Sequence, residues 1–278
     1  MKNILVPTDF GETSKNAISF AAEIAKHINA KIHLLHSFHI PVTTVESGAI
    51  LLENELNILE KANTTSLNNL ISDLKTHFPS TEFVGIQNEG FLIDCIKELT
   101  ETTEFEYLVM GTQGDEGMSK LLFGSNTASI VGEISVPILV VPDTTSYSEI
   151  KKIAYATDFS AADFQTIKKT IQFAQLFNAE LIILHSASAD SKHFSSEQNE
   201  FQKMVLDYSK LIDNQNISFE FLIQDNFENQ ITDYALENEV DLIVLVTKKR
   251  NFIEKLFHHS HTKNLTMKTS TPLLVYNS

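Results

Sequence analysis

Cysteine, long apolar runs and basic charge are all scarce in this chain of 278 residues, and each scarcity excludes a class of protein. Cys95 is the single cysteine, so no disulfide can form within the chain, and a reducing compartment such as the cytoplasm is expected. No stretch approaches the roughly 18 consecutive apolar residues of a membrane span. The apolar run at the N-terminus is also too short for a signal peptide. We therefore expect a soluble cytoplasmic protein with no membrane partner.

Basic residues are outnumbered by acidic ones, 21 Lys and Arg against 36 Asp and Glu, which gives a net charge of −15 with histidine neutral. Proteins that bind nucleic acid usually carry a basic surface, so no nucleic-acid partner is expected. The acidic balance does not exclude a small phosphorylated ligand held by backbone N–H groups. With 42% hydrophobic and 21% charged residues, the chain has the composition of an ordinary globular protein with a substantial core.

The second half of the chain repeats the first. The segment Ile4–Gly11 recurs at Ile153–Ser160, and Ile28–Ser37 recurs at Phe177–Ser186, both at an offset of 149 residues. Further along, Tyr107 corresponds to Leu242 and Pro137 to Pro272, at an offset of 135. Two copies at a fixed offset indicate two homologous domains. We predict one domain over residues 1–142, a polar linker over 143–150 and a second domain over 151–278.

Each half alternates short apolar runs with segments of helical periodicity, which is typical of an α/β fold with a parallel sheet covered by helices on both faces. In the first half the apolar runs predict five strands. They lie at Asn3–Pro7, Ile32–His36, Phe83–Gln87, Tyr107–Met110 and Pro137–Val141.

A glycine-bearing loop follows the fourth predicted strand. It consists of Gly111-Thr112-Gln113-Gly114 and, after nine residues, Gly124-Ser125-Asn126-Thr127. Glycines let backbone N–H groups approach a ligand closely, and a helix start offers free donors and a positive dipole end. The loop therefore predicts a phosphate site built from the N–H groups of Gly111, Gly114, Gly124, Ser125 and Asn126, with the Ser125 hydroxyl adding a bond. It is neither a P-loop nor a GxGxxG fingerprint. The alternative is a flexible surface loop with a C-cap glycine.

Polar residues also follow the first two predicted strands, and ligands of open parallel sheets bind at these strand ends. Asp9 follows the first strand, where it could contact a base or a ribose, or could instead serve as the N-cap of the first helix. The same alternatives apply to Asp158, with the structural one favoured. His36 and His185 end equivalent strands and are interpreted as packing residues.

These motifs resemble the universal stress protein family in its tandem form. The resemblance rests on Pro7-Thr8-Asp9, on Leu34-Leu35-His36, on the G-x2-G-x9-G-S spacing from Gly111 to Ser125, and on the closing strand of each half. It implies two Rossmann-like α/β domains, each an open five-stranded parallel sheet, whose last strands pair as an intrachain pseudo-dimer. Whether two such chains also form a homodimer is not decided by the resemblance.

The resemblance also implies an ATP site, with Mg²⁺ as a candidate companion ion. Pro7, Thr8 and Asp9 would lie at the adenosine, and the backbone of Ser37 would bind adenine. The ribose and phosphates would be held by Met110, Gly111, Gln113, Gly114, Gly124, Ser125, Asn126 and Thr127.

The second half lacks the glycines. Val246, Lys249 and His259 stand at the positions of Gly111, Gly114 and Gly124, and only Ser260 is kept, so this half is not expected to bind ATP in the family manner. Because the repeat keeps the fold without these glycines, a ligand explains the three glycines better than the architecture does. The sequence Lys248-Lys249-Arg250 is interpreted as a solvated loop, and the histidines from His258 to His261 are not expected to bind a metal.

No pair of nucleophile and general base is apparent, and Cys95 is interpreted as a packing residue. We therefore expect a nucleotide-binding regulatory module in a stress response and not an enzyme. Two other hypotheses remain open. One is an interaction or chaperone-like stress protein with a vestigial loop, and the other is a weak ATP hydrolase.

Overall fold

The structure, a computed structural model, describes residues 1–39, 49–112, 125–143, 145–157, 161–187, 194–211, 216–223, 227–246 and 271–277. The elements of the first half are β1 (Lys2–Pro7), α1 (Glu12–Ile28), β2 (Ala30–Phe38), α2 (Ala49–His77), β3 (Phe83–Glu89), α3 (Leu92–Thr102), β4 (Tyr107–Gly111), α4 (Ser125–Ile130) and β5 (Ile138–Val141). Those of the second half are β6 (Lys152–Ala156), α5 (Ala161–Phe177), β7 (Glu180–Ala187), α6 (Phe194–Leu211), β8 (Ile217–Ile223), α7 (Phe227–Glu237), β9 (Leu242–Val246) and β10 (Leu273–Tyr276).

The ten strands form one sheet in the order β3-β2-β1-β4-β5-β10-β9-β6-β7-β8. Every pairing within a half is parallel, so the predicted five-stranded parallel sheet of each half is confirmed. The two halves join where β5 and β10 pair antiparallel, with Leu139 opposite Leu274.

Helix α1 shows why the repeat folds as it does. Its apolar residues recur at helical spacing and are buried on one face, among them Ala17, Phe20, Ala21 and Ile24. The helix ends at Asn29, which adopts a left-handed conformation with φ of 53° and donates its N–H to Ala25. Asn178 follows α5 with φ of 52°. Asparagine tolerates this conformation better than most residues, so the repeated Asn-Ala pair marks the end of the same helix in both halves.

Two cores cover the two faces of the sheet. One lies beneath α1, α2 and α5, and it runs from the first half into the second without a break. The other lies beneath α3, α4 and α7. Alternate residues of each strand supply the two cores, as in Tyr107 and Val109 against Leu108 and Met110.

Helix α2 has 29 residues, and the buried leucines among its described side chains lie in its C-terminal half. Leu67, Leu70 and Leu74 are buried, whereas the side chains of Ile58 and Leu59 are exposed. The helix packs on β3 and β2. Thr64 lies beside Gln87, two residues before the end of β3. At about 1.5 Å per residue, the turns before Leu59 therefore extend beyond the carboxyl end of β3.

Aromatic side chains fill the junction between the halves. Tyr107 on β4 and Tyr276 on β10 are buried, and their hydroxyls are hydrogen-bonded to each other. The ring of Tyr107 also meets that of Phe173 edge-on at 5.9 Å. Burial raises the pKa of Tyr276 to about 12 and raises the pKa of Tyr107 as well.

This tyrosine pair predicts a loss of stability in alkali. Between pH 10 and pH 12 the unfolded chain releases phenolic protons that the folded chain retains, so the free energy of unfolding falls as the pH rises. The slope is about 1.4 kcal/mol per pH unit for each tyrosine whose pKa is raised in the folded chain. Urea unfolding at a series of pH values measures it, and the Tyr276→Phe variant should show a shallower decline than the wild type. Equal slopes in the two proteins would contradict the assignment.

Candidate nucleotide-binding site

The strand order reverses between β1 and β4. The chain proceeds outward from β1 through β2 to β3, then crosses to β4 and proceeds the other way to β5. Helix α1 leaves β1 on one face of the sheet, and α4 follows β4 on the other. The two connections diverge and leave a crevice at the carboxyl ends of β1 and β4, which is where open α/β sheets bind their ligands.

The turn after β1 places an exposed carboxylate at this crevice. One carboxylate oxygen of Asp9, Oδ1, accepts the N–H of Gly11 at 3.0 Å, which closes a turn just before α1. The N-cap residue of the helix is Gly11 and not Asp9. The side chain of Asp9 therefore shapes the entry to the helix without capping it, and it is exposed just past the carboxyl end of β1.

Phe10 holds a strained backbone conformation in the same turn, with φ of +66°. Its N–H bonds to the hydroxyl of the buried Thr8 at 3.0 Å, and its ring lies 4.5 Å from that of His36. The Nδ1 atom of His36 is in turn 2.9 Å from the carbonyl oxygen of Thr8. Non-glycine residues at positive φ are uncommon and cluster at functional sites. These contacts fix the turn that carries Asp9, and they support the packing role predicted for His36.

The backbone of Ser37 is directed at the crevice. The carbonyl of Leu35 accepts the N–H of Thr8 on the β1 side of β2, and the carbonyl of Phe38 accepts the N–H of Gly90 on the β3 side. Backbone groups alternate along a parallel strand, so Ser37 directs its N–H and C=O towards β1. The last paired residues of β1 and β2 are Pro7 and Leu35, so Ser37 extends past the end of β1.

Two features constrain Gly111 at the end of β4. The hydroxyl of Thr127, which is only 2% exposed, donates to the Gly111 carbonyl at 2.9 Å and ties the start of α4 to the strand. A Cβ atom added at Gly111 would lie 2.5 Å from the Cγ2 atom of Thr13 and 3.1 Å from its carbonyl oxygen. Helix α1 thus packs directly against the end of β4 at this glycine.

The contact with Thr13 corrects one prediction made from the repeat. The interpretation that a ligand accounts for all three glycines better than the architecture is wrong for Gly111, because any side chain there would collide with α1. The second half carries Val246 at the position of Gly111, and Ala162 at the position of Thr13. The sequence of the second half thus has a smaller residue at the helix position and a larger one at the strand position.

The structure brings part of the predicted site together. Pro7, Thr8, Asp9 and Ser37 lie at the carboxyl ends of β1 and β2, and Gly111 and Thr127 lie at the other wall of the crevice. Met110 is buried in the core beneath α3 and α4. Gln113, Gly114 and Gly124 lie outside the described residues. Ser125 and Asn126 begin α4, and their backbone lies next to Gly111 through the Thr127 bond.

In the second half a buried polar cluster joins the end of β6 to the start of α5. The carboxylate of Asp163 accepts the Tyr155 hydroxyl at 2.6 Å and the Thr157 hydroxyl at 2.7 Å. All three side chains are at most 3% exposed, and in the first half their positions are held by Ser14, Val6 and Thr8. The hydroxyls of Thr8 and Ser14 are also hydrogen-bonded to each other, at 3.1 Å, so both halves use these positions for internal hydrogen bonds. Asp158 and the basic and histidine-rich segments of this half lie outside the described residues.

Sequence reasoning did not identify Thr13, Phe10 or the orientation of Thr127 as determinants of the site. The close approach of α1 to β4 leaves one trace in the sequence. In the second half, Ala162 stands at the position of Thr13 and Val246 at the position of Gly111. The positive φ of Phe10 has no compositional signal, since neither glycine nor asparagine stands there.

The described residues contain neither a cluster of metal ligands nor a helix that could span a membrane. No group of three or more His, Cys, Asp or Glu side chains is arranged to hold a metal ion within the described ranges. No helix in the part of the chain that the structure describes combines the length and apolar character needed to cross a bilayer.

The reversal of strand order between two runs of parallel strands defines a doubly wound α/β protein. The model of the universal stress protein family matches this sequence twice, over residues 1–142 and 149–277. The chain belongs to the universal stress protein family.

Its relatives share the tandem arrangement or one half of it. The universal stress protein Slr1230 of Synechocystis sp. is 24% identical over a gapped alignment of 302 positions. The alignment covers 99% of this chain and 100% of that protein. The universal stress protein MJ0531 of Methanocaldococcus jannaschii is 28% identical over 50% of this chain and 81% of its own length. The crystal structure of a universal stress protein from Archaeoglobus fulgidus has the same fold. It matches with a TM-score of 0.73 at 16% identity, over 99% of this chain and 96% of that one.

The packing at Gly111 predicts a repairable defect. Gly111→Ala should lower the free energy of unfolding by about 1–3 kcal/mol, the usual cost of overpacking, because the new methyl group collides with Thr13. Thr13→Ala in the same chain should recover most of the loss, because it removes the Cγ2 atom that the new methyl group meets. Denaturant unfolding of both single variants and the double variant measures the coupling. Additive effects of the two substitutions would show that the two residues do not share this contact.

Proposed function

We propose that the first half of the chain is an ATP-binding regulatory module in a stress response, with the nucleotide in the crevice between β1 and β4. The observation that carries the proposal is the convergence of three groups on this crevice. They are the exposed carboxylate of Asp9, the crevice-facing backbone of Ser37, and the strand end at Gly111 that leads to the glycine loop. Together they offer contacts for a ribose, a base and a phosphate chain.

Each contact has a physical basis. A carboxylate accepts hydrogen bonds from ribose hydroxyls, and a backbone N–H and C=O pair matches the donor and acceptor edge of adenine. The phosphates would be held by backbone N–H groups, those of Gly111, Gly114, Gly124, Ser125 and Asn126. Binding by backbone groups suits a chain of net charge −15, in which acidic side chains outnumber basic ones. Mg²⁺ would accompany the triphosphate and would be coordinated largely by phosphate oxygens and water.

The rest of the proposal concerns the assembly and the location. The antiparallel pairing of β5 with β10 supports an intrachain pseudo-dimer of the two domains, and a homodimer of whole chains would need another surface. The single cysteine and the acidic composition support a cytoplasmic protein that does not bind nucleic acid.

We also propose that the module binds nucleotide without turning it over. Asp9 is the carboxylate at the turn after β1, and it is already engaged by the N–H of Gly11. A regulatory role needs only differential binding between states, which a glycine loop and a single carboxylate supply.

Equilibrium binding of labelled ATP tests the site. Gly114→Lys should weaken binding at least about tenfold, because a long side chain occupies the space of a phosphate. The matched control is Lys249→Gly at the corresponding position of the second half, which should leave the affinity unchanged. If the wild type binds no ATP the proposal fails, and equal binding by wild type and Gly114→Lys would place the ATP site elsewhere.

Phosphate release tests the absence of turnover. With saturating ATP and Mg²⁺, the purified chain should release inorganic phosphate no faster than buffer alone. The Asp9→Asn variant serves as the comparison, because it removes the charge of the only carboxylate that we place at the crevice. Release by the wild type that disappears in Asp9→Asn would identify a weak hydrolase instead.

A further inference from the structure

Strands β1 and β4, which flank the crevice, stop pairing earlier than their counterparts in the second half. All residues of both strands are described, and they form two register pairs, the second of which joins Leu5 to Leu108. The corresponding strands β6 and β9 form four, and the last of these joins Ala156 to Leu245. The ladder of the first half therefore ends two residues short of its counterpart, at the rim where the nucleotide site is proposed.

A proline explains where the ladder of the first half ends. Pro7 stands at the position of Ala156, and among the prolines of the described ranges it alone lies within a strand. The N–H of Thr8 donates to Leu35 on β2, and backbone groups alternate along a strand, so the backbone of Pro7 faces β4. Because proline has no N–H, it cannot donate to the carbonyl of Val109, the acceptor that the register places opposite.

The second half shows the bond that Pro7 prevents. The N–H of Thr157 donates to Leu184 on β7, so the N–H of Ala156 faces β9, where the register directs it to the carbonyl of Val244. Strand β1 lies between β2 and β4, and proline is rare in such central strands because a missing ladder bond is costly. Proteins retain departures of this kind chiefly at functional sites.

We propose that Pro7 is a positioning residue that keeps the carboxyl ends of β1 and β4 unlinked, so that a nucleotide can span the gap from Asp9 to Gly111. This inference rests on the proposed nucleotide site, and it assigns Pro7 a task that needs no contact with the ligand. An N–H at position 7 would join the two walls of the crevice one bond nearer to the rim. The ligand would then bind only after this bond had opened.

Hydrogen exchange of the Pro7→Ala variant shows whether the ladder extends when the donor is supplied. In protein made with isotopically labelled alanine, the new amide at position 7 and the amide of Ala156 are observed in one NMR spectrum. The second half thus provides the reference for a paired amide. Without nucleotide, the new amide should exchange at least about tenfold more slowly than in the urea-unfolded chain. Exchange at the unfolded rate would show that no bond forms and would overturn the proposal.

Nucleotide should compete with the new bond. ATP should bind Pro7→Ala about 2- to 12-fold more weakly than the wild type, the equivalent of one net backbone hydrogen bond. Because linkage is reciprocal, saturating ATP should raise the exchange rate of the new amide by a similar factor, while the amide of Ala156 should not respond. A merely structural role for Pro7 would change the stability of the chain but would not make this exchange depend on ATP.

Pro142→Ala is the matched control, because Pro142 directly follows β5 and takes no part in the pairing of β1 with β4. This variant should bind ATP as the wild type does. Equal ATP affinity of Pro7→Ala and the wild type, with the new amide protected, would overturn the positioning role and leave the nucleotide site standing. Failure of the wild type to bind ATP would overturn both the nucleotide site and this inference.

Discussion

The antiparallel pairing of β5 with β10 is the interaction on which the rest of the structure depends. All residues of both strands are buried, from Ile138 to Val141 and from Leu273 to Tyr276. If the halves were separate, each would end in an apolar edge strand whose outer backbone groups have no partner, an arrangement that proteins avoid. Pairing satisfies these groups and lets one core run beneath α1, α2 and α5 of both halves. The parallel sheets, and with them the crevice, therefore form as parts of a single unit.

Within that unit, some residues at the carboxyl ends of the strands serve the packing, some serve the proposed site, and one serves both. Gly111 serves both, since it admits α1 to the end of β4 and also begins the loop predicted to hold phosphates. Thr127 serves the architecture, because its hydroxyl is committed to the Gly111 carbonyl. Asp9 and the backbone of Ser37 have no comparable role in the cores, and both lie at the carboxyl edge. The second half keeps the strands and the helix ends, and it has the bonds between Tyr155, Asp163 and Thr157 where the first half has the bond between Thr8 and Ser14.

The sequence was sufficient for the repeat, the parallel sheet and the helix ends, because these follow from local signals. Helical spacing in α1, the left-handed Asn29 and the buried run of β4 are each encoded within a few neighbouring residues. It was not sufficient for contacts between distant segments. Nothing near Gly111 in the chain indicates that Thr13 lies above it. Of the two alternatives open for Asp9, the N-cap is wrong, because the N-cap residue is Gly11, two positions further on.

The polarity of the β5 and β10 pairing has a consequence for communication within the chain. Because the two strands run in opposite directions, the carboxyl ends of the first-half strands and those of the second-half strands lie on opposite rims of the sheet. A molecule held at the β1 and β4 rim is therefore separated by the width of the sheet from the cluster at Asp163. The two halves cannot share one chamber or exchange a ligand directly. The packed layer around Tyr107, Phe173 and Tyr276 joins the two halves beside the paired strands, so this aromatic junction is one place where they can be mechanically coupled.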